Sequence, residues 1–352
     1  MRPTATRDAL MAISRRFKIK IIGDKSMNRL NRKSGRQILI SAIIGTALCQ
    51  PAYAAWPNDK PIEVVVGFAA GGGTDLLARK ITRFMQKPLG EKTQFIVMNK
   101  PGAGGEIATG YVARAAADGY SVAVVNMPGF LYVPMSKKSQ YKPEDFRLVA
   151  RIVDDPTVLI VRSDSKFTNV ASVLAALKRQ PGSVSFGNNG IGTNSEIAAK
   201  LISKQTGLSL NEVPYKGTAA QRTDLLGGFI DVAVVSASEV PELHHGKTAE
   251  YRAIAQLSRT RIKALAQVPT AIESGLQVTM SSERGFAVHK NVPANITQQL
   301  QKAVETVVRD PKFAAANPGD APVFAYLPGA QWNDSLNQTR KLLQEVLADK
   351  QK

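Results

Sequence analysis

Two α/β lobes with a cleft between them are what this chain predicts, on three observations. Strand-like and helix-like segments alternate through two successive stretches, about residues 61–125 and 157–257. In both stretches a glycine-rich loop joins a strand to the helix that follows it. The chain has 352 residues, 44% hydrophobic and 21% charged, the composition of a folded protein with core enough for about two domains.

The first unit opens with Pro61–Phe68, a β-branched run that stops at a glycine cluster and so reads as a strand. Ala69-Ala70-Gly71-Gly72-Gly73 is a tight loop. Thr74 is the expected N-cap of the next helix, and Asp75 places a carboxylate in its first turn, where the helix dipole favours one. Leu77, Ile81, Phe84 and Met85 keep helical spacing, and Gly90 ends the segment. The strand Gln94–Met98 follows, then a second loop, Pro101-Gly102-Ala103-Gly104-Gly105, a helix through Ile107, Tyr111 and Val112, and the strand Tyr120–Val125.

The second unit repeats the plan. Thr157–Val161 reads as a strand, and Val170, Val173, Leu174 and Leu177 as one face of a helix. The short strand Val184–Phe186 leads through Gly187–Asn194 into a helix from Ser195 to Thr206. Strand Leu208–Val213, a helix ending at Gly227-Gly228, and strands Asp231–Val235 and Tyr251–Leu257 continue the alternation. Beyond about residue 284 two long helices are expected, near Asn295–Val308 and Trp332–Asp349. Such alternation implies parallel sheets covered on both faces.

The charge is uneven. The whole chain carries +18, and residues 1–54 hold half of it, with 11 Lys and Arg against 2 Asp and Glu. The basic block, from Arg15 to Arg36, precedes the apolar run Ile38–Leu48 and then Ala52-Tyr53-Ala54. A positive segment, a short apolar one and an A-x-A site form a secretory signal with cleavage expected after Ala54. The 11-residue run is short of the roughly 20 needed to span a bilayer. A buried core helix is the competing reading, and it leaves the flanks unexplained. Met27 opens a more typical signal than Met1, so either can be the start. Ser14-Arg15-Arg16-Phe17-Lys18 lies too far upstream for a twin-arginine signal, and bulky Leu48 before Cys49 argues against a lipoprotein. The expected product is a soluble extracytoplasmic protein free of Cys, with no disulfide framework and no Cys-rich zinc site.

Glycines let the backbone approach a ligand closely, and the helix start behind them presents unpaired N–H groups and a partial positive charge. Two such termini facing across a cleft would clamp an anion without Lys or Arg. Short βα turns with no ligand are the bland alternative. Gly71-Gly72-Gly73 and Gly187-x-x-Gly190-x-Gly192 miss the dinucleotide fingerprint, and no P-loop occurs, so ATP and NAD are set aside. Adjacent His244 and His245 cannot face one way and make a poor metal site; His289 reads as a surface residue. No nucleophile elbow and no His-Asp pattern accompanies Ser195. No enzyme, cofactor or metal is expected. A nucleic-acid partner would need a basic stripe with interleaved aromatics, which residues 55–352 lack.

Five ordered motifs carry a family resemblance. Trp56-Pro57, Lys60-Pro61-Ile62 and Ala70-Gly71-Gly72-Gly73-Thr74-Asp75 resemble the opening of the Bug-type receptors, the substrate-binding proteins of tripartite tricarboxylate transporters. Asn99–Gly105 and Ala117–Ser121 continue the match, as do Val213-Pro214-Tyr215-Lys216-Gly217 with Asp224–Gly228, and Val268-Pro269-Thr270 with Glu273-Ser274-Gly275. The resemblance implies a type II periplasmic-binding-protein-like fold, with residues 55–156 and 284–352 in lobe 1, residues 157–283 in lobe 2, and a hinge between them. It implies a small organic carboxylate as ligand and the permease subunits of a tripartite tricarboxylate transporter as partners, with the receptor a monomer. A sensory role, docking on a membrane signalling protein, is the alternative.

Residue by residue, the implied ligand contacts fall on Ala70, Gly71, Gly72, Thr74 and Asp75 in lobe 1 and on Gly192, Thr193, Asn194 and Ser195 in lobe 2. Asn126, expected just after its strand, and Lys216 at the cleft edge join them. Three positions depart from the family pattern. Glu196 stands where a His is common, Arg284 where a Trp commonly precedes the Gly285-Phe286 pair, and Asn126-Met127-Pro128 replaces a small polar stretch. Arg284 could fork onto a second ligand carboxylate. Glu196 would repel one or accept an ammonium, unless both side chains point away from the cleft.

Overall fold

The computed structural model describes residues 56–240, 242–243 and 250–348. The leader with its expected cleavage site, Cys49, and the pair His244-His245 lie outside the described residues.

Strand β1 (Ile62–Val66) forms from the apolar run predicted for it and is buried at four of five positions. It lies between β2 (Phe95–Asn99) and β3 (Ser121–Met127), parallel to both. The helix α1 (Gly73–Leu89) connects β1 to β2, and α2 (Glu106–Ala113) connects β2 to β3. After β3 come α3 (Gly129–Ser136) and the 17-residue strand β4 (Phe146–Arg162). The second stretch then runs α4 (Val170–Arg179), β5 (Ser185–Asn188), α5 (Asn194–Thr206), β6 (Asn211–Pro214), α6 (Thr218–Leu226), β7 (Val232–Ser236) and β8 (Tyr251–Gln256). Strand β9 (Ser281–His289), helices α7 (Ala294–Val308) and α8 (Pro311–Ala315), strand β10 (Phe324–Pro328) and helix α9 (Gly329–Ala348) complete the chain.

The expectation of parallel sheets holds only in part. β5 is parallel to β6 and to β7, as β1 is to its neighbours. β9, however, runs antiparallel to β3 and to β4, and β4 is antiparallel to β7, β8 and β10. The cause is β4 itself. Its residues Phe146–Pro156 pair with β9, and from Thr157 it pairs instead with β7 and β8. One long strand thus passes from the first lobe's sheet into the second's, and β9 returns beside it, with Thr157 N–H bonded to Met280 O at 3.0 Å. The segment read as a strand over Thr157–Val161 is only the far end of β4. Asn126 lies inside β3 rather than after it, and β6 begins at Asn211 rather than Leu208.

Leu77, Ala78, Ile81 and Met85 keep the i, i+4, i+8 repeat, and with α7 they cover one face of the first sheet. Full burial of each such aliphatic side chain contributes about 1.5–3 kcal/mol before conformational entropy is subtracted. The other face belongs to a cluster shared by both lobes. Val65, Val112 and Leu131 meet Leu159, Phe186 and Ile197 there, closed by Trp332 and Leu336 of α9. Apolar packing in this cluster therefore joins the lobes. Among the described residues no helix is long and apolar enough to cross a membrane.

Candidate functional site

A cavity of about 730 Å³ lies where the lobes face each other. The first lobe lines it with Phe68–Thr74, Leu76, Lys80 and Asn126. The second contributes Asn189, Gly192–Asn194, Lys216–Ala220, Arg222, Ser238 and Glu239, and the crossing strand β9 adds Ser282 and Arg284. Of the twelve predicted contact residues, Asp75 and Ser195 are not on this wall; the other ten are.

Both glycine loops are held by one device, built twice. Asp75, 2% exposed, accepts the Gly71 N–H at 2.8 Å and is paired with Arg79 one turn on. Glu196, 6% exposed, accepts the Gly192 N–H at 2.7 Å and is paired with Lys200 one turn on. In each case a first-turn carboxylate reaches back four residues to a loop N–H, and a cation four residues ahead balances its charge. This arrangement displaces Thr74 from the predicted cap. Gly72 is the N-cap of α1, without a side-chain bond, and Thr74 lies in the first turn with its hydroxyl accepting from Asn126 Nδ2 at 3.0 Å. In the second lobe Thr193 is the N-cap, accepting from the Glu196 N–H. Ser195 Oγ accepts the Asn189 N–H at 2.8 Å and braces the loop from behind. Glu196 is not on the cavity wall, and its carboxylate is engaged by the loop N–H and Lys200.

Burial pushes the Asp75 carboxyl up, but Arg79, the Gly71 N–H and Asn99 outweigh it and hold it below the usual carboxylate range. Its contribution to stability is therefore present at neutral pH and lost as pH falls through that lowered value. Asp75→Ala strands these donors and is expected to lower stability by about 1–3 kcal/mol. It should also weaken binding through the loop, by a similar factor for ligands of every size. Urea unfolding and calorimetric titration check both; unchanged stability would mean that the carboxylate does not hold the loop.

A third helix terminus joins the first two, and sequence reasoning missed it. α6 starts at Thr218, directly behind Gly217 (φ +148), so strand, glycine and helix follow one another here as in the other loops. That signal lies in the consecutive residues Val213–Thr218. Asn189 Nδ2 donates to Thr218 Oγ1 at 2.8 Å, which in turn donates to Glu239 Oε2 at 2.8 Å. The Asn126–Thr74 and Asn189–Thr218 pairs sit in opposite lobes, and in each the amide oxygen Oδ1 is buried with no donor among the described residues. Glu239, Arg222 of α6 and Asp320 also reach the cavity.

The floor is made by the crossing strands. Arg284, 4% exposed, pairs with Asp155, which is fully buried on β4. Asp155 also accepts the Ser238 N–H at 3.0 Å and the Ser238 hydroxyl. Burial raises the Asp155 carboxyl to about 6, against the lowering by Arg284 and Ser238. Asn194 Nδ2 bonds Thr157 Oγ1 at 2.8 Å and ties the start of α5 to the same crossing. Among the described residues no group of His, Cys, Asp and Glu side chains could hold a metal ion.

With this geometry the comparisons with known proteins become specific. The family model described as "Tripartite tricarboxylate transporter family receptor" matches residues 77–351. Protein BugT of Bordetella pertussis is 34% identical over 297 residues, covering 82% of this chain and 89% of its own. A solute-binding protein of Polaromonas, solved without ligand, superposes with a TM-score of 0.68 at 30% identity, over 84% of this chain and all of its own. MatC of Rhodopseudomonas palustris, solved with bound malate, superposes with a TM-score of 0.67 at 26% identity, over 82% and 97% of the two chains. These matches and the two-lobed α/β architecture agree: the chain belongs to the tripartite tricarboxylate transporter receptor family, the Bug-type solute receptors.

Proposed function

We propose that this protein is a periplasmic receptor that encloses a small organic carboxylate between its lobes and delivers it to the permease subunits of a tripartite transporter. The observation that carries this reading is the convergence of helix N-termini from opposite lobes, α1 against α5 and α6, on one cavity. Each terminus offers unpaired N–H groups and a partial positive charge. Ala70, Gly71, Gly72 and Thr74 would take one side of the carboxylate, and Gly192, Thr193 and Asn194 the other, with Asn126 and Lys216 at the margins. Closure removes water and strengthens these hydrogen bonds.

The malate held by MatC supports the ligand class. The sheet pairing supports a division into residues 55–156 with 284–352 and residues 157–283, with the hinge on β4 and β9. The basic leader supports export, and the receptor in this reading works as a monomer. Binding itself needs no chemistry on the ligand, and we assign no catalytic residue.

A thermal-melt screen of stripped protein over mono-, di- and tricarboxylates tests the reading. A ligand at 100 times its Kd should stabilise the fold by about 2.7 kcal/mol. A rise confined to neutral sugars or metal ions, with every carboxylate inert, would overturn it.

A further inference from the structure

The wall formed by β9 differs in kind from the glycine loops. They present backbone N–H groups, whereas Arg284 presents a guanidinium, a planar fork of five donors that holds its charge at any physiological pH. Only part of that fork is used. Nη2 donates to Asp155 and to Ser238 Oγ, the latter at 3.3 Å. Nε is buried and has no acceptor among the described residues. Nη1 points to the start of α1, 3.2 Å from where a Cβ on Gly73 would stand. Asp155 is not on the cavity wall and is wholly buried, so it can serve as counter-ion without meeting the ligand.

A buried ion pair is not needed for stability here, since apolar residues of similar volume commonly do as well or better. A buried donor left unpaired carries a cost of about 1–3 kcal/mol. The cost of the pair is offset in part if Nη1 meets an anion when the cavity is filled. One more group bears on that anion. Glu239 Oε1 lies 3.9 Å from the same point beside Gly73, so a carboxylate entering here faces a repelling charge unless Arg284 answers it.

We propose that Arg284 reads a second carboxylate, so that the preferred ligand is a dicarboxylate with one end on the glycine-loop helix termini and the other against Arg284 Nη1. The inference rests on the carboxylate-receptor reading above and narrows it. It makes Arg284 a specificity determinant, Asp155 its positioning residue, and Glu239 the group that penalises a dianion whenever Arg284 is missing.

The test is calorimetric titration with pairs of equal chain length: butyrate and succinate, valerate and glutarate, hexanoate and adipate. At the best-fitting length the dicarboxylate should bind the wild-type protein about 10- to 100-fold more tightly than its partner, the range for a hydrogen bond to a charged group. The double variant Asp155→Asn/Arg284→Met removes one charge of each sign, so the net charge and the long-range field stay as they were. In it the ratio of dicarboxylate to monocarboxylate affinity at each chain length should fall to about one, whatever happens to the two series together. Equal binding of both series by the wild type, or an unchanged ratio in the double variant, overturns the role of Arg284 and leaves the receptor reading standing. Failure of every mono- and dicarboxylate to bind the wild type overturns that reading and this inference together. If the double variant does not melt cooperatively, Arg284→Lys decides, because it keeps a positive partner for Asp155 but has no second nitrogen to face the cavity. The ratio should then fall several-fold, and an unchanged ratio counts against the proposal.

Discussion

Arg284→Met made alone is expected to lower stability by about 3–5 kcal/mol, the cost of leaving a buried charge without its partner. Asp155 is fully buried, and burial already raises its carboxyl to about 6 with Arg284 in place. The groups that face it are Arg284 from β9, Ser238 from the turn Ala237–Glu239, and the charge of Glu239. Two Ser238 donors cannot replace a full positive charge. With Arg284 gone the carboxyl rises further, and Asp155 at neutral pH must either stay ionised in a dry site or take up a proton. The loss should therefore shrink as pH falls from 7.5 to 5. In the wild type a raised acid contributes stability below its ordinary value and loses it as pH rises through about 6. Asp75, held low, has the opposite slope, so the measurement that isolates Asp155 is the difference between the wild type and Asp155→Asn. Adding Asp155→Asn to Arg284→Met should recover most of the loss. Urea unfolding of the four proteins completes the cycle; a single-variant loss below about 1 kcal/mol, the scale of a screened surface pair, would show that the site is wet.

Much of this molecule can be read from local chemistry, and the limits of that reading have identifiable causes. The glycine loops and the helices behind them are local, because positive-φ turns and apolar repeats are written in consecutive residues. Ten of twelve nominated residues accordingly lie on one cavity. Thr74 was misjudged because a cap is a competition. An Asp one residue later can reach a loop N–H and also pair with Arg79, and that combination leaves Gly72 at the cap position. The same rule explains Glu196, whose partners Gly192 and Lys200 stand four residues to either side and were visible in the chain. The direction of β9 was not legible, since it depends on pairing with β3 and β4, more than 120 residues earlier. Nor were Glu239 and Asp320, which reach the cavity only through the way distant segments pack. Asp155 is the clearest case. In the sequence it is one of two adjacent aspartates, and only the crossing of β4 and β9 makes it the partner of Arg284.

Gly285→Ala is the other change with a large expected effect, and it ties that crossing to binding. The backbone of Gly285 does not have a positive φ, so conformational freedom is not what requires glycine there. The requirement is space. A Cβ would stand 2.1 Å from Ala150 O, 2.6 Å from Trp332 Cζ3 and 2.9 Å from Arg151 Cα. Two of these neighbours are backbone of β4, and the third belongs to a fully buried Trp whose Nε1 donates to Glu283 at 2.6 Å. None can retreat as a flexible side chain would. Alanine must therefore push β9 away from β4, at a cost of about 3 kcal/mol or more, the upper end for overpacking. The displacement begins one residue from Arg284 and should carry the guanidinium off Asp155, so carboxylate binding should fall along with stability. Gly71→Ala is the matched control: its φ is +80 and nothing lies within 4 Å of the added carbon, so only the backbone term of about 1–2 kcal/mol remains. Thermal melts of both variants, each with and without a saturating dicarboxylate, separate the two mechanisms. If Gly285→Ala is no worse than Gly71→Ala, the two crossing strands are free to part, and the rigid floor beneath Arg284 does not exist.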